Sequence, residues 1–583
     1  MNKLLTVSQL KVLTQAVAGA LALLSSGAWA AAPDAGQLLD TLKAPSQEPM
    51  RKAPLLNVQQ EVRPALLALP GVKVKVTGFR VTGNTVVPSS SLLPLLQSQI
   101  GSELDLAGLD ACAARISNYY RAHGYFIARA YLPAQDITSG EVEIAVLEGR
   151  IGTVTVKAVG QTRIDMQRAK NMVSASVQPG QVVREQGIER GLTLLNDLPG
   201  VDVKSTLFPG TTPGASDLVI EATEGREFTG SVDMDNFGNR YTGQTRVGAS
   251  LNINDPSHIG DLLTLRAMGT SNSDMSYYRG GYLTPIGNNG FKLGGAYSHM
   301  NYKLGKDFAA LGATGTADVL SLYGMYPFIR SRNLDLYGNI GFDMRSLKDD
   351  HLAVNFKDKH IDLFNAGVVG DARDGLGGGG MWNYGASLSM GNLNLSDNPA
   401  DQTSDATWAQ TAGTYTKLNF NGSRLQRLTD DWSFYGALSG QLASKNLDSS
   451  EKFILGGTGV RAYPQGEGAG DEGMLLNLEI HYSLRGIPGP GDLQLLSFID
   501  TGHVTLNKHT WSGWQPNSLL DYPNSYNLSG MGIGANYGKA GKFSVQTSYA
   551  WKLGSNPAKD VNGLDSDGTA KSGRFWLQAI KWL

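Results

Sequence analysis

The sequence predicts an all-β transmembrane barrel of about sixteen antiparallel strands, preceded by two small α+β units and a short N-terminal helix. Three observations lead there. Helix signals disappear after Glu227, and runs of alternating apolar and polar residues follow one another to the end of the chain. The links between these runs fall into two sets, short turns and long polar loops. The chain is 41% apolar, with a slightly negative mean hydropathy. That is too polar for a bundle of membrane helices, and it suits strands with one face to lipid and one to a wet lumen.

Taken in order, residues 1–30 read as a secretory signal. Lys3 and Lys11 are basic, Val12–Leu24 is mostly apolar, and Ala28-Trp29-Ala30 has the small-x-small cleavage pattern, so the mature chain is expected to begin at Ala31. No later stretch approaches the roughly 20 apolar residues of a spanning helix. At 583 residues the chain is too long for one simple domain, and its net charge of −2 points to no nucleic-acid partner. The single cysteine, Cys112, has no internal partner and reads as a small buried residue on a helix.

Residues 31–44 predict a short helix. Asp34 is placed to cap it, Leu38, Leu39 and Leu42 share one face, and Lys43 suits its C-terminal end. Pro45, Pro49, Pro54, Pro64 and Pro70 mark 45–71 as an extended linker with few strand signals. Residues 72–149 read β-α-α-β-β, with a second helix ending at Gly124-Tyr125 and strands near 128–132 and 141–147. The order repeats in 150–226, where Leu198-Pro199-Gly200 breaks the chain after its second helix. Each unit has a sheet edge able to accept another strand.

The barrel is expected over 227–583. Val247, Ala249, Leu251 and Ile253 alternate with Arg246, Gly248, Ser250 and Asn252; Leu476, Leu478 and Ile480 alternate with Asn477, Glu479 and His481. Short links at 255–260, 285–290, around Ser331 and at 486–492 contrast with longer ones near 303–314, 347–357, 395–409 and 446–472. The 446–472 loop joins strands eleven and twelve on the extracellular side. The last run, 573–583, is expected to close on the first. Leu496, Phe498 and Asp500 share one face of their strand, so an Arg461 carried on the long loop can form a charge-assisted bond with Asp500 inside the channel, or the two can simply solvate a porin-like lumen.

Other chemistry is thin. Gly375-Leu376-Gly377-Gly378-Gly379-Gly380 matches a dinucleotide pattern but opens no helix of a βαβ unit, and reads as a turn. The eight histidines show no metal-ligand spacing; His481 and Glu479 share a lumenal face but do not make a site. No G-x-S-x-G elbow occurs. Tyr277, Tyr278, Tyr323 and Tyr326 read as interfacial girdle. No catalytic residue, metal or cofactor is expected.

The ordered motifs resemble the TpsB transporters of two-partner secretion (type Vb, ShlB/FhaC/HecB-like), within the superfamily of outer-membrane barrels carrying POTRA domains. The first unit has Phe79 and Gly83, Tyr119, Gly124 and Tyr125, and Pro133 and Gln135; the second has Asp197, Pro199 and Gly200. Val460, Arg461 and Tyr463 match the family's loop-tip motif, and Phe498, Asp500 and Gly502 match its lumenal motif. Two positions depart: Ala462 stands where the family usually has Gly, and the chain ends in Leu583 rather than Phe.

The resemblance implies a transporter in the outer membrane of a Gram-negative bacterium. The helix would plug the pore, 72–149 and 150–226 would be periplasmic POTRA domains, and the 446–472 loop would fold inward so that Arg461 meets Asp500. The implied partners are outer-membrane lipid and a large secreted TpsA-like exoprotein, captured unfolded through its N-terminal secretion domain. Assembly is expected to use periplasmic chaperones and the barrel assembly machinery. The alternatives are an insertase of the same superfamily, which usually carries three or more POTRA units, and a general porin, for which two such domains are superfluous.

Overall fold

The computed structural model describes residues 32–42, 54–59, 73–160, 162–272, 274–352, 354–515 and 523–583. The signal-like segment 1–30 and most of the 45–71 linker lie outside the described residues.

Sixteen antiparallel strands form a closed barrel, from Phe228–Asp235 to Gly573–Trp582. The last strand closes on the first by pairing Ser231–Asp235 with Trp582–Gln578. Closure removes both sheet edges, which is what lets a sheet stand in hydrocarbon. The alternation sorts as the sequence requires. Leu478, Ile480, Leu495 and Ile499 are exposed on the outer face, whereas His481, Leu496, Phe498 and Asp500 are buried inside. Apolar residues are outside because lipid is the solvent there.

Three expectations need correction. The 347–357 segment is not a long loop: strand seven runs through Leu334–His351 and strand eight starts at Val354. These strands have 18 and 21 residues, against roughly 10 needed to span a bilayer. Their polar tops stand above the membrane, and in sequence they look like a loop. Tyr277 is not a girdle residue. Tyr278 is exposed on the outer face, but Tyr277 is buried inside, because neighbouring residues of a strand point to opposite faces. Finally, the linker is more than a spacer. Leu55–Val58 pairs in parallel with Lys204–Leu207 and adds a fourth strand to the second α+β unit. Its own strand signal is weak; the free edge beside it supplies the hydrogen-bonding template.

The two units have separate cores. In the first, helix Leu106–Ala122 covers the sheet of Gly78–Thr82, Glu141–Leu147 and Arg129–Tyr131. Cys112 is buried in that core, as expected for an inert thiol. The motif residues there are structural. Phe79 is buried in the core, with Tyr119 and Tyr125 packed against it. Gly83 has φ 77°, and a Cβ there would lie 2.3 Å from the Val146 carbonyl oxygen. Gln135, two residues after Pro133, stands in for a strand partner: its Nε2 donates to the Glu143 carbonyl at 2.7 Å, and its Oε1 accepts from the Glu143 N–H at 2.6 Å. Gly124 ends its helix with φ 83°.

The second unit sits against the short turns of the barrel. Arg330, at the end of strand six (Thr314–Arg330), forks onto the Asp197 carboxylate at 2.7 and 2.8 Å. Arg190 donates to the Pro327 carbonyl at 2.8 Å, and Lys292 to that of Asp197 at 3.1 Å. The break at Pro199-Gly200 lets the chain pass close to Asn254 and Gly225.

Candidate functional site: a helix and a folded loop inside the barrel

The long link between strands eleven (Trp432–Ala443) and twelve (Glu472–Leu484) turns back into the lumen. A two-stranded ribbon, Phe453–Ile454 with Ala469–Gly470, carries its tip inward. The tip is closed by its own backbone: Val460 N–H donates to the Leu455 carbonyl at 2.7 Å, and Tyr463 N–H to that of Val460 at 3.0 Å. Val460, Ala462 and Tyr463 are fully buried among Leu455, Leu496, Phe498, Tyr526 and Leu528.

Arg461 joins this tip to the wall. Its Nε and Nη2 donate to Asp500 at 2.9 and 2.7 Å, and its backbone N–H donates to the same carboxylate at 3.1 Å. Nη2 also lies 2.8 Å from Glu479 Oε1. The guanidinium stacks over the Phe498 ring, 3.4 Å from its centroid. Asp500 is completely buried and takes a further bond from Asn477 Nδ2 at 2.7 Å. Two carboxylates and an aromatic face therefore meet one arginine, and an amide completes the shell of Asp500. This satisfies the condition under which a buried ion pair holds: every desolvated oxygen has a donor. The Arg461 carbonyl accepts from Trp576 Nε1 at 2.6 Å, tying the tip to the last strand.

Neighbouring glycines explain the fit. A Cβ on Gly502 would come 2.5 Å from Leu455 Cδ2, so the lumenal motif needs Gly there. The departure at Ala462 is accommodated by Gly530 on strand fourteen (Ser525–Lys539), where an added Cβ would lie 2.5 Å from the Ala462 methyl. Ala462 is not among the residues with positive φ, so the tip does without a left-handed residue.

The second element in the lumen is helix Ala35–Asp40. Asp34 caps it by accepting from the Gln37 N–H with Oδ1 at 3.1 Å. Its other oxygen accepts from Ser449 Oγ at 2.6 Å and lies 3.2 and 3.4 Å from Lys357 and Lys359. Ala35 N–H donates to Asp349 at 2.9 Å. At the other end, Arg246, paired to Asp235, donates to the Thr41 carbonyl at 2.7 Å. Leu38 and Leu42 are buried against Met268, Tyr277, Met300 and Tyr302, with Leu39 packed beside them. Gly36 touches the folded loop itself: a Cβ there would lie 2.6 Å from Ser450 Cβ.

Helix and loop thus share an interface, and below it lies a cavity of about 900 Å³ lined by Asp40, Thr41, Arg246, Arg345, Lys417 and Gln465. The structure brings together Val460, Arg461, Tyr463, Phe498, Asp500 and Gly502 as one cluster, and Leu38, Leu39 and Leu42 as a second. It does not bring the POTRA motif residues to either. Sequence reasoning missed Glu479, Asn477 and Trp576 around Arg461, and Lys357, Lys359 and Ser449 around Asp34. The Glu479–His481 contact at 2.6 Å was legible as a shared strand face. The approach of Glu479 to Arg461 was not.

A sixteen-stranded barrel with a helix and an inward loop in its lumen, and two α+β domains at its short-turn end, defines an outer-membrane transporter with its POTRA domains in the periplasm. The sequence profile of the haemolysin secretion/activation protein family ShlB/FhaC/HecB matches residues 214–537, and that of the ShlB-type POTRA domain matches 74–149; the chain belongs to this family of two-partner secretion transporters. It is 29% identical over 503 residues to the heme/hemopexin transporter protein HuxB of Haemophilus influenzae (strain 86-028NP), covering 85% of each chain. It is 23% identical over 463 residues to the outer membrane transporter CdiB of Dickeya dadantii (strain 3937), covering 78% of this chain and 80% of that one. Among solved structures, CdiB from Escherichia coli aligns over 100% of both chains with a TM-score of 0.69 at 20% identity. CdiB from Acinetobacter baumannii aligns over 94% of this chain and 96% of its own, with a TM-score of 0.60 at 17% identity. These two show the shared fold.

Proposed function

We propose that the lumenal helix is a plug and the inward loop a lid, and that together they hold the export channel shut until cargo arrives. The cargo is one large unfolded exoprotein, caught in the periplasm by the POTRA domains through its N-terminal secretion domain. The observation that carries the gating reading is the Arg461 cluster, which fastens the tip of the inward loop to the completely buried Asp500 of the barrel wall. The contact of Gly36 with Ser450 supports a joint gate, since one element cannot leave without uncovering the other. POTRA capture is supported by the edge strand Val201–Pro209, which already accepts an added strand from the linker. Cargo pairing there displaces Leu55–Val58. Translocation is driven by cargo binding and by folding outside. The barrel itself reaches the membrane with periplasmic chaperones and the barrel assembly machinery.

The test is secretion of the partner by Arg461→Ala, Asp500→Ala and the double variant, with membrane insertion checked in parallel. Each single change is expected to abolish most secretion without loss of insertion, and the double to be no worse than the more severe single. A double defect equal to the product of the singles would show that the two residues act independently.

A further inference from the structure

Three potential ligand atoms converge on the outer side of the barrel, away from the lumen. Asp358 and His360 stand two apart on strand eight and so project from one face. Asp397 reaches them from the loop that leads into helix Pro399–Thr407. One potential ligand atom from each of Asp358, His360 and Asp397 lies within 4.8 Å of the other two. His360 Nδ1 is 3.9 Å from Asp358 Oδ1 and 3.6 Å from Asp397 Oδ2. These separations are too long for hydrogen bonds. They fit the span across an ion: three atoms within 4.8 Å of one another leave a point no more than about 2.8 Å from each, and small side-chain shifts bring that to zinc–nitrogen and zinc–oxygen bond lengths.

A second observation is independent of this spacing. Asp358 is only 6% exposed, and its Oδ1 has no hydrogen-bond partner among the described residues. Its other oxygen faces Lys348 Nζ at 3.1 Å. A buried carboxylate oxygen without a donor is costly, and it points at the imidazole nitrogen. The side chains of His360 and Asp397 are 48% and 56% exposed, which leaves an approach for an ion and its waters. Two carboxylates against one lysine leave the cluster net negative, and Asp362, exposed on the same face, adds to that.

We propose that Asp358, His360 and Asp397 bind a divalent transition-metal ion of the zinc class at the extracellular rim. The imidazole selects zinc or nickel over calcium and magnesium, which take oxygen ligands. The ion ties strand eight to the foot of the 395–412 loop. It sits behind Lys357 and Lys359, which face inward from the same strand to hold Asp34.

Full-length, tag-free protein in detergent is titrated with Zn²⁺ against a chromophoric chelator, and Ca²⁺ is tested as competitor. One equivalent of zinc is expected to bind, to weaken at least tenfold in His360→Gln and in Asp397→Asn, and to persist in the control His509→Gln. Both informative changes are at half-exposed side chains, and circular dichroism checks that the barrel is retained. Co²⁺ bound in place of zinc is expected to give a visible absorption band that His360→Gln removes. Absence of a zinc equivalent, or an equivalent unchanged in both variants, overturns the site. Displacement of zinc by an equal concentration of Ca²⁺ overturns the metal class.

Discussion

At the scale of single residues, Arg461 and its two carboxylates make unequal contributions. Asp500 is completely buried and accepts three bonds from Arg461. Glu479 shares its charge with His481 as well. Removing one member of a desolvated pair costs about 3–5 kcal/mol, and more where the remaining charge has no second partner. Glu479→Gln is therefore expected to reduce secretion less than Asp500→Asn, measured as exported cargo per assembled barrel; equal losses would mean that the two carboxylates are interchangeable. Glu148 makes a different prediction. Burial opposes its charge, but donors from Thr85, Val86 and Tyr120 outweigh that and hold its carboxyl below the ordinary 4.5. A depressed folded-state pKa stabilises above the unfolded value and is lost as pH falls through the folded one. Amide protection in the first POTRA domain, taken relative to the intrinsic exchange rate at each pH, is thus expected to fall below pH 4.5 in the native protein. Glu148→Gln is expected to exchange faster at neutral pH and to lose that dependence.

At the scale of elements, two contacts set how parts move against one another. Helix Ala35–Asp40 has only six residues, too short to be stable alone, so its place depends on Asp34 and on the close approach of Gly36 to Ser450. Gly36→Val puts atoms where Ser450 lies and is expected to loosen the helix, raising single-channel conductance in planar bilayers several-fold while the barrel stays assembled. An unchanged conductance would show that the helix does not occlude the pore. The Asp197–Arg330 fork is the corresponding contact for the second POTRA domain. Arg330→Ala is expected to widen the distance distribution between spin labels on that domain and on the barrel turns. A distribution as narrow as the native one would assign the docking to the Arg190 and Lys292 contacts instead.

At the scale of the whole molecule, closure ties these parts together. The last strand pairs with the first, carries Trp576 onto the Arg461 carbonyl, and stacks that indole edge-on against Phe237. The seam and the inward loop therefore meet at one tryptophan. The barrel, its alternation and its two preceding domains were all legible in the chain, because a period of two and a turn every ten or so residues are local properties. The pairing of Arg461 with Asp500 was legible chiefly through the family resemblance, with strand parity in agreement. Glu479 was legible as a lumenal residue but not as a partner, since that needs the depth to which the loop descends. The same holds for Asp358, His360 and Asp397: an Asp-x-His pair is common in a strand, and the third group arrives from a loop 37 positions away. The linker strand was missed because an edge, not its own sequence, orders it. The sequence by itself determined strand number, face and domain order, each set by the side chains of neighbouring residues. Only the tertiary structure decided which further charges join Arg461 and Asp34 in the lumen, since burial makes a charge choose a partner and the partner's distance along the chain does not enter that choice.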